Sequence, residues 1–69
     1  MDTIRNRVRE FREGRGLSQS ALAELAGVTR QTVISLEKGS YVPSLLFAMN
    51  LAEIFGVTVE DLFSKEEAS

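Results

Sequence analysis

Residues 19–38, QSALAELAGVTRQTVISLEK, constrain the fold most strongly because two short helical patterns meet there at a single glycine. The first pattern follows Ser18, a favourable N-cap residue. Its apolar positions share one face at three- and four-residue spacing: Leu22, Leu25 and Ala26. Gly27 stands where helices most often end in a left-handed residue, and Thr29 can cap a second helix that stops before Gly39. The pattern predicts two helices joined by a tight turn.

In an α-helix each residue is rotated by 100° from the one before. With this geometry the second of these helices carries different residue types on its two sides. Val33 and Leu36 point to one side and, together with Val28, should hold the helix against the domain. The other side carries basic, polar and aliphatic residues: Arg30, Gln31, Ile34, Ser35 and Lys38. Arginine and glutamine pair with base edges, isoleucine contacts a thymine methyl group, and lysine meets a phosphate. The pattern therefore predicts a helix-turn-helix whose second helix enters the DNA major groove.

The stretch LSQSALAELAGVTRQTVISLEKG resembles the helix-turn-helix of the Cro and phage-repressor, or XRE-type, family. The matching positions within it are the Leu-Ser-Gln start, Leu22, Ala23, Gly27, Val28, Thr29, Val33, Leu36, Glu37 and Gly39. Flanking positions match as well: Val8, Arg9, Arg12, Gly16, Tyr41, Pro43, Ser44, Leu45, Ala48, Ala52 and Phe55. Because the resemblance covers nearly the whole chain in register, it implies an all-α, compact five-helix, lambda-repressor-like DNA-binding domain.

The same resemblance implies roles for residues outside the second motif helix. In this family the arginine that Arg12 matches forms a largely buried ion pair with the glutamate that Glu37 matches, and it also approaches a phosphate. Gln19 resembles the family glutamine that contacts a phosphate and braces the neighbouring recognition side chain. We therefore expect Arg12 and Glu37 to form a structural ion pair.

Helical spacing also places the flanking elements. A first helix is predicted over residues 3–14, with Ile4, Val8 and Phe11 as its apolar stripe. Pro43 and Ser44 begin a further helix that ends at Gly56, and its core face is predicted to be Leu45, Ala48, Leu51, Ala52 and Phe55. Thr58 caps a last short helix. The DNA-binding domain is expected to span residues 1–64, and residues 65–69 are expected to be a frayed acidic tail.

Composition excludes several classes of function. A chain of 69 residues allows one domain, and it contains no cysteine and no histidine. The usual zinc ligands and the Cys/His and Ser/His nucleophile arrangements are therefore missing, so we expect neither an enzyme nor a metal or other cofactor. The longest apolar stretch, residues 45–49, is far shorter than the roughly 18 residues that span a bilayer, and no charged leader precedes an apolar run. We expect a cytoplasmic protein without a membrane partner.

The net charge of −2 is distributed unevenly along the chain. Residues 1–38 contain seven basic and five acidic residues, net +2, whereas residues 39–69 contain one basic and five acidic residues, net −4. A DNA duplex responds mainly to the nearer face because the screening length is about 8 Å at physiological salt. The asymmetry permits DNA binding without requiring it.

Contacts to double-stranded DNA can then be assigned. The residues predicted to contact bases are Arg30, Gln31, Ile34 and Ser35. Those predicted to contact phosphates are Ser18, Gln19, Thr32, Lys38, Ser40 and Tyr41. The family usually carries a polar or small residue at Ile34, so a contact to a protein partner stays open there. Tyr41 is equally well explained as a packing residue.

Family members bind two-fold symmetric operators as dimers, which implies a homodimer and a repressor. Apolar residues left over in the C-terminal third predict its interface: Phe47, Ile54, Val57, Val59, Leu62 and Phe63. About half of these are expected to complete the monomer core instead. The alternative function is an antitoxin or protein-interaction module that engages a partner protein through this face. No small-molecule ligand is expected, since no sensor domain is attached.

Overall fold

The structure, a computed structural model of the chain, describes residues 2–67. Within this range five helices lie between two short strands. The elements in chain order are β1 (Asp2–Asn6), α1 (Val8–Gly14), α2 (Gln19–Ala26), α3 (Arg30–Lys38), α4 (Leu45–Phe55), α5 (Val59–Leu62) and β2 (Phe63–Glu67). The fold is therefore predominantly helical, but it is not the purely all-α fold predicted from the sequence.

Side-chain caps determine where four of the helices begin. In each, a hydroxyl oxygen accepts a hydrogen bond from the backbone N–H three residues further on, at 3.0–3.2 Å: Ser18, Thr29, Ser44 and Thr58. Gly27 ends α2 with a φ of 70°, a left-handed conformation that a residue with a β-carbon adopts only under strain. The turn between α2 and α3 therefore lies where the sequence pattern predicted it.

An apolar cluster joins all five helices. Its buried members are Val8, Leu22, Ala23, Val33, Leu36, Phe47, Leu51, Ala52, Phe55 and Leu62. Leu22, Leu36 and Leu51 have no exposed surface. Because α3 contributes Val33 and Leu36 to this cluster, its position relative to the other helices is set by the core. Among the described residues, no helix combines the length and apolar character needed to cross a membrane.

The N-terminal residues form a strand rather than the start of the first helix. β1 and β2 pair in antiparallel register, with Asn6 opposite Phe63 and Ile4 opposite Lys65. The helix predicted over residues 3–14 is therefore wrong before Val8, and Ile4 is 45% exposed instead of lying on an apolar stripe. The pairing joins opposite ends of the chain, so local spacing carries no signal for it.

The same sheet corrects the predicted frayed tail. Residues 65–67 belong to β2, and the Arg5 guanidinium lies 3.6 Å from the Glu66 carboxylate across the sheet. The hydrogen bonds of the sheet and this ion pair therefore order residues that their polar and acidic character had predicted to fray. Residues 68 and 69 of the predicted tail lie outside the described part of the chain.

The first turn of α4 differs from its predicted core face. Leu45 was expected to be buried but is 71% exposed, whereas Phe47 is 8% exposed. The buried arc of α4 instead contains Phe47, Ala48, Leu51, Ala52 and Phe55. At 100° per residue, Leu45 falls at the edge of this arc rather than within it.

Candidate nucleic-acid interface

Buried side chains hold one side of α3 against the domain. Val33 and Leu36 are completely buried, and Val28 packs against the same cluster. Thr29 caps the start of α3 and Gly39 ends it with a φ of 79°. Because the back and both ends of α3 are fixed in this way, the opposite side has a defined orientation.

The opposite side of α3 faces outward. Arg30, Gln31 and Lys38 are exposed, while Ile34 and Ser35 are half-buried. The Gln31 side chain donates from Nε2 to Ser35 Oγ at 3.4 Å, so these two side chains lie next to each other along the helix. Hydrogen-bond donors and acceptors thus surround one aliphatic side chain on this face. This combination of groups can bind base edges and thymine methyl groups in the major groove.

Arg12 and Glu37 form a buried ion pair beneath this face. Arg12 Nε donates to Glu37 Oε2 at 2.6 Å and Arg12 Nη2 donates to Glu37 Oε1 at 3.2 Å. The two side chains are only 10% and 6% exposed. Arg12 Nη1 also donates to the Leu17 carbonyl oxygen at 2.8 Å, and Gln19 Nε2 donates to Glu37 Oε1 at 3.2 Å. The network therefore ties α1 and the start of α2 to the last turn of α3.

Hydrogen bonding to Glu37 raises the pKa of the Arg12 guanidinium above its ordinary value, against the opposing effect of burial. Arg12 thus carries the permanent positive charge that is general for arginine. A buried bidentate pair of this kind fixes geometry as well as charge. It holds Gln19, the residue predicted to meet a phosphate, in a defined position at the N-terminus of α2.

A polar cleft opens beside this network. The residues that line it come from α1, the start of α2 and the start of α3: Arg9, Arg12, Ser18, Gln19, Ser20 and Arg30. The cleft brings three guanidinium groups and two hydroxyls to the positive N-terminal end of α2, although those of Arg9 and Arg12 are already paired with Glu13 and Glu37. A cleft of this composition is suited to an anion such as a DNA phosphate.

A second concavity lies along the other side of α3. It is lined by Thr29, Gln31, Thr32, Ser35, Ser40 and Tyr41, which brings together three of the residues predicted to contact phosphates. The Tyr41 ring lies 6.2 Å from the Phe47 ring, and Tyr41 is 38% exposed. Tyr41 therefore packs against α4 and still presents surface next to α3.

The predicted dimer-interface residues fall into two groups. Phe47 is 8% exposed and Leu62 is fully buried, so both belong to the monomer core and neither is available to a partner. The other four are partly buried against that core: Ile54, Val57, Val59 and Phe63. The small domain uses its large C-terminal side chains for its own stability. Sequence spacing alone does not show which of them belong to the core and which remain for an interface.

Some residues near the site were not assigned from the sequence. Arg9 and Ser20 line the polar cleft, although no contact to DNA was assigned to either from the sequence. Asn6 donates from Nδ2 to the Leu36 carbonyl oxygen at 2.9 Å and accepts from the Val8 N–H at 3.2 Å. It therefore joins the start of α1 to α3. An asparagine just before a helix can accept from the first backbone N–H groups, and this feature of the sequence could have identified Asn6.

Comparisons with known proteins agree with this geometry. A helix-turn-helix family model matches residues 8–62. The Bacillus subtilis protein named uncharacterized HTH-type transcriptional regulator YgzD is 50% identical over 64 residues, which cover 93% of this chain and 97% of that protein. The cryptic phage CTXphi transcriptional repressor RstR of Vibrio cholerae is 33% identical over 64 residues, covering 93% of this chain and 58% of RstR.

A solved structure adds agreement at the level of the fold. The restriction-modification controller protein C.AhdI from Aeromonas hydrophila matches with a TM-score of 0.73 and 35% identity, over 78% of this chain and 82% of that chain. The match of the family model to most of the chain, together with relatives named as transcriptional regulators, decides the assignment. The chain belongs to the XRE-type helix-turn-helix family of DNA-binding transcriptional regulators, which are not enzymes.

Proposed function

We propose that this protein is a sequence-specific repressor that binds a two-fold symmetric operator as a homodimer, with α3 of each copy in the major groove. The observation that carries the proposal is the division of α3 into a completely buried side, Val33 and Leu36, and an outward side with exposed Arg30 and Gln31. A helix held in this way can enter the groove, which is about 12 Å wide, without rearrangement.

Four residues of α3 read the base sequence. Arg30 pairs with guanine O6 and N7, and Gln31 pairs with adenine N6 and N7. Ile34 and Ser35 lie one turn further along and contact a thymine methyl group and a base edge. The hydrogen bond from Gln31 to Ser35 supports this division because it keeps both side chains on the same strip of α3.

Phosphate contacts set the register of the protein on the duplex. Ser18 and Gln19 bind one phosphate at the polar cleft, where Gln19 is braced by Glu37. Thr32, Ser40 and Tyr41 bind the backbone from the second concavity, and Lys38 supplements them from the end of α3. The net charge of +2 over residues 1–38 favours this orientation over one that presents the acidic C-terminal part.

A dimer supplies the affinity that one unit lacks. One copy makes few phosphate contacts, whereas two copies related by a two-fold axis occupy half-sites roughly 34–36 Å apart. RstR is named a transcriptional repressor, which supports repression as the regulatory outcome. Genomic DNA as the target makes the cytoplasm the expected location.

Selection of bound fragments from a pool of randomised duplexes tests the proposal. We expect the purified protein to enrich a motif with inverted-repeat symmetry. Arg30→Ala should lose about 1–3 kcal/mol at that motif and relax one base position in each half-site. Arg5→Ala removes an equally charged residue on β1, whose side chain is 69% exposed, and should leave the motif unchanged. An identical motif for the wild type and Arg30→Ala would rule out the assigned role.

A further inference from the structure

A group of large apolar side chains lies exposed just after the recognition helix. We call the group formed by Tyr41, Val42, Leu45, Leu46 and Met49 the α4 patch; these side chains are 38%, 66%, 71%, 70% and 52% exposed. Isolated apolar side chains on a protein surface are ordinary, but a contiguous group marks an interaction site. The residues of the patch are adjacent in sequence, since they occupy the loop before α4 and its first turns.

The patch is a fixed surface rather than a loose loop. Ser44 caps α4 by accepting from the Phe47 N–H at 3.1 Å, and the Tyr41 ring packs 6.2 Å from that of buried Phe47. On α4 itself, Leu45, Leu46 and Met49 fall within one third of the helix circumference, opposite the buried arc. These three side chains therefore face in a common direction.

The patch also lies in the least charged part of the chain. Residues 39–52 contain no Asp, Glu, Lys or Arg, although charged residues make up 26% of the sequence. Exposed polar residues border it: the uncharged Ser40, Ser44 and Asn50, and the charged Glu53 one turn beyond Met49. An apolar centre with a polar rim is the usual composition of a protein–protein interface, of which a standard one buries about 800 Å² per partner.

We propose that the α4 patch is the two-fold interface through which two copies of this chain pair, an inference that rests on the proposed function. In an isologous dimer each patch residue meets the same surface on the partner copy, so any charge within it would face a like charge. An uncharged patch meets this requirement. The C-terminal residues predicted for the interface from the sequence do not form its centre.

The position of the patch links dimer formation to DNA recognition. It begins three residues after Lys38, the last residue of α3, and the intervening backbone is held by Gly39 and by the Ser40 N–H, which donates to the Ser35 carbonyl oxygen at 3.0 Å. A two-fold axis through the patch therefore relates the two recognition helices through a short, ordered segment. The interface itself sets the spacing of the half-sites.

Cross-linking gives a direct test because the chain contains no cysteine. Single cysteines are introduced at Val42, Leu45, Leu46 and Met49, and at Leu25 as a matched exposed control that is 59% exposed on α2. A disulfide requires Cα atoms roughly 4.4–6.8 Å apart, so at least one patch variant, at a position near the axis, should form a covalent dimer under mild oxidation. Leu25→Cys should stay monomeric on a denaturing gel. No patch variant forming more dimer than Leu25→Cys would overturn the proposal.

Sedimentation measures the same interface without a new covalent bond. Leu46→Glu places two like charges in the apolar centre and should raise the dimer dissociation constant about 100-fold or more. Leu25→Glu should leave the dissociation constant within about threefold of wild type, because its side chain lies outside the patch. Equal weakening by both variants, or a wild-type protein that stays monomeric at high micromolar concentration, would overturn the proposal.

A DNA measurement separates this proposal from the proposed function. Leu46→Glu should still bind a single half-site with wild-type base preference but lose the gain in affinity on the full operator. Arg30→Ala should do the reverse, remaining a dimer while losing its preference at one base position in each half-site. If Leu46→Glu bound the full operator with unchanged affinity, the patch would not be the dimer interface. If the wild-type protein were a dimer without any preferred DNA sequence, the proposed operator binding would be wrong while the interface would remain supported.

Discussion

Replacing Arg12 by methionine removes one half of the buried ion pair that joins α1 to α3. Glu37 would retain only the hydrogen bond from Gln19 at 3.2 Å, and the Leu17 carbonyl oxygen would lose the donor now 2.8 Å away. The Glu37 side chain is 6% exposed, so water cannot easily replace the lost guanidinium. Leaving a buried charge unpaired in this way costs about 3–5 kcal/mol.

That cost is large for a domain of this size. A chain of 69 residues is expected to have a free energy of unfolding of roughly 3–10 kcal/mol. Since 1 kcal/mol shifts the melting temperature of such a domain by about 4–8 °C, Arg12→Met should melt at least about 12 °C below wild type. Arg9→Met is the matched control, because Arg9 pairs with Glu13 at 3.3 Å while both side chains are more than half exposed. Exposed pairs contribute only about 0–1 kcal/mol.

Circular dichroism melts at one protein concentration measure the difference. Equal melting temperatures for Arg12→Met and Arg9→Met would refute the reasoning. Arg12→Met combined with Glu37→Met provides a second check if the single variant does not fold. Removing both charges leaves no buried charge unpaired, and the Leu17 carbonyl oxygen lacks its donor in both variants, so the double variant should be more stable than Arg12→Met alone. A double variant less stable than the single one would show that the penalty comes from lost packing.

Three further predictions address DNA binding, pH and the α1–α3 contact. Lys38→Ala should weaken binding to all sequences similarly and reduce the slope of log affinity against log salt by about 1; a loss confined to one base pair would contradict a phosphate contact. The Thr58 N–H donates to the Asp61 carboxylate and thereby lowers the pKa of Asp61. The ionised carboxylate therefore stabilises the folded state fully above the unfolded pKa of about 3.9, and this stabilisation is lost as pH falls through the lower folded pKa. Asp61→Asn should therefore flatten the dependence of melting temperature on pH below about 4, and an unchanged slope would argue against the effect. Asn6→Ala should cost about 1–3 kcal/mol in urea unfolding because it removes the acceptor of the Val8 N–H, in a fully buried residue, together with one of the donors to the Leu36 carbonyl oxygen. A cost no larger than that of exposed Thr3→Ala would exclude this role.

The helix-turn-helix could be predicted from the sequence because its signals are local. Ser18 and Thr29 cap helices at the predicted residues, and Gly27 adopts the left-handed conformation expected between them. Helical spacing also separated buried Val33 and Leu36 from the outward side of α3. Each of these features depends on residues within one or two turns of each other.

The terminal strands could not be predicted in the same way. Ile4 fits a helical stripe with Val8 and Phe11, yet its backbone pairs with that of Lys65. Pairing between the two ends of the chain outweighs the local pattern, and a five-residue strand with mixed polarity has no periodic signature. Asn6 reinforces the strand because its side chain bonds to α3 and to the start of α1.

Leu45, Phe47 and Leu62 illustrate a limit of a different kind. All three are large apolar residues in the C-terminal part of the chain, but Leu45 is exposed while Phe47 and Leu62 are buried. Leu45 and Phe47 lie about 160° apart around α4, so they cannot both face the core. Because α4 is apolar around most of its circumference, spacing alone does not determine which side of it is buried.

Scanning the selected operator with 7-deazapurines tests most directly whether the outward face of α3 reads bases in the major groove. Each substitution replaces the N7 acceptor, which lies in the major groove, and leaves the minor-groove edge unchanged. We predict that binding weakens by about 1–3 kcal/mol for substitutions at a few positions in each half-site. At the position that Arg30 contacts, the same substitution should not further weaken binding by the Arg30→Ala variant. Affinity that is unaffected by every N7 substitution would contradict major-groove recognition by α3.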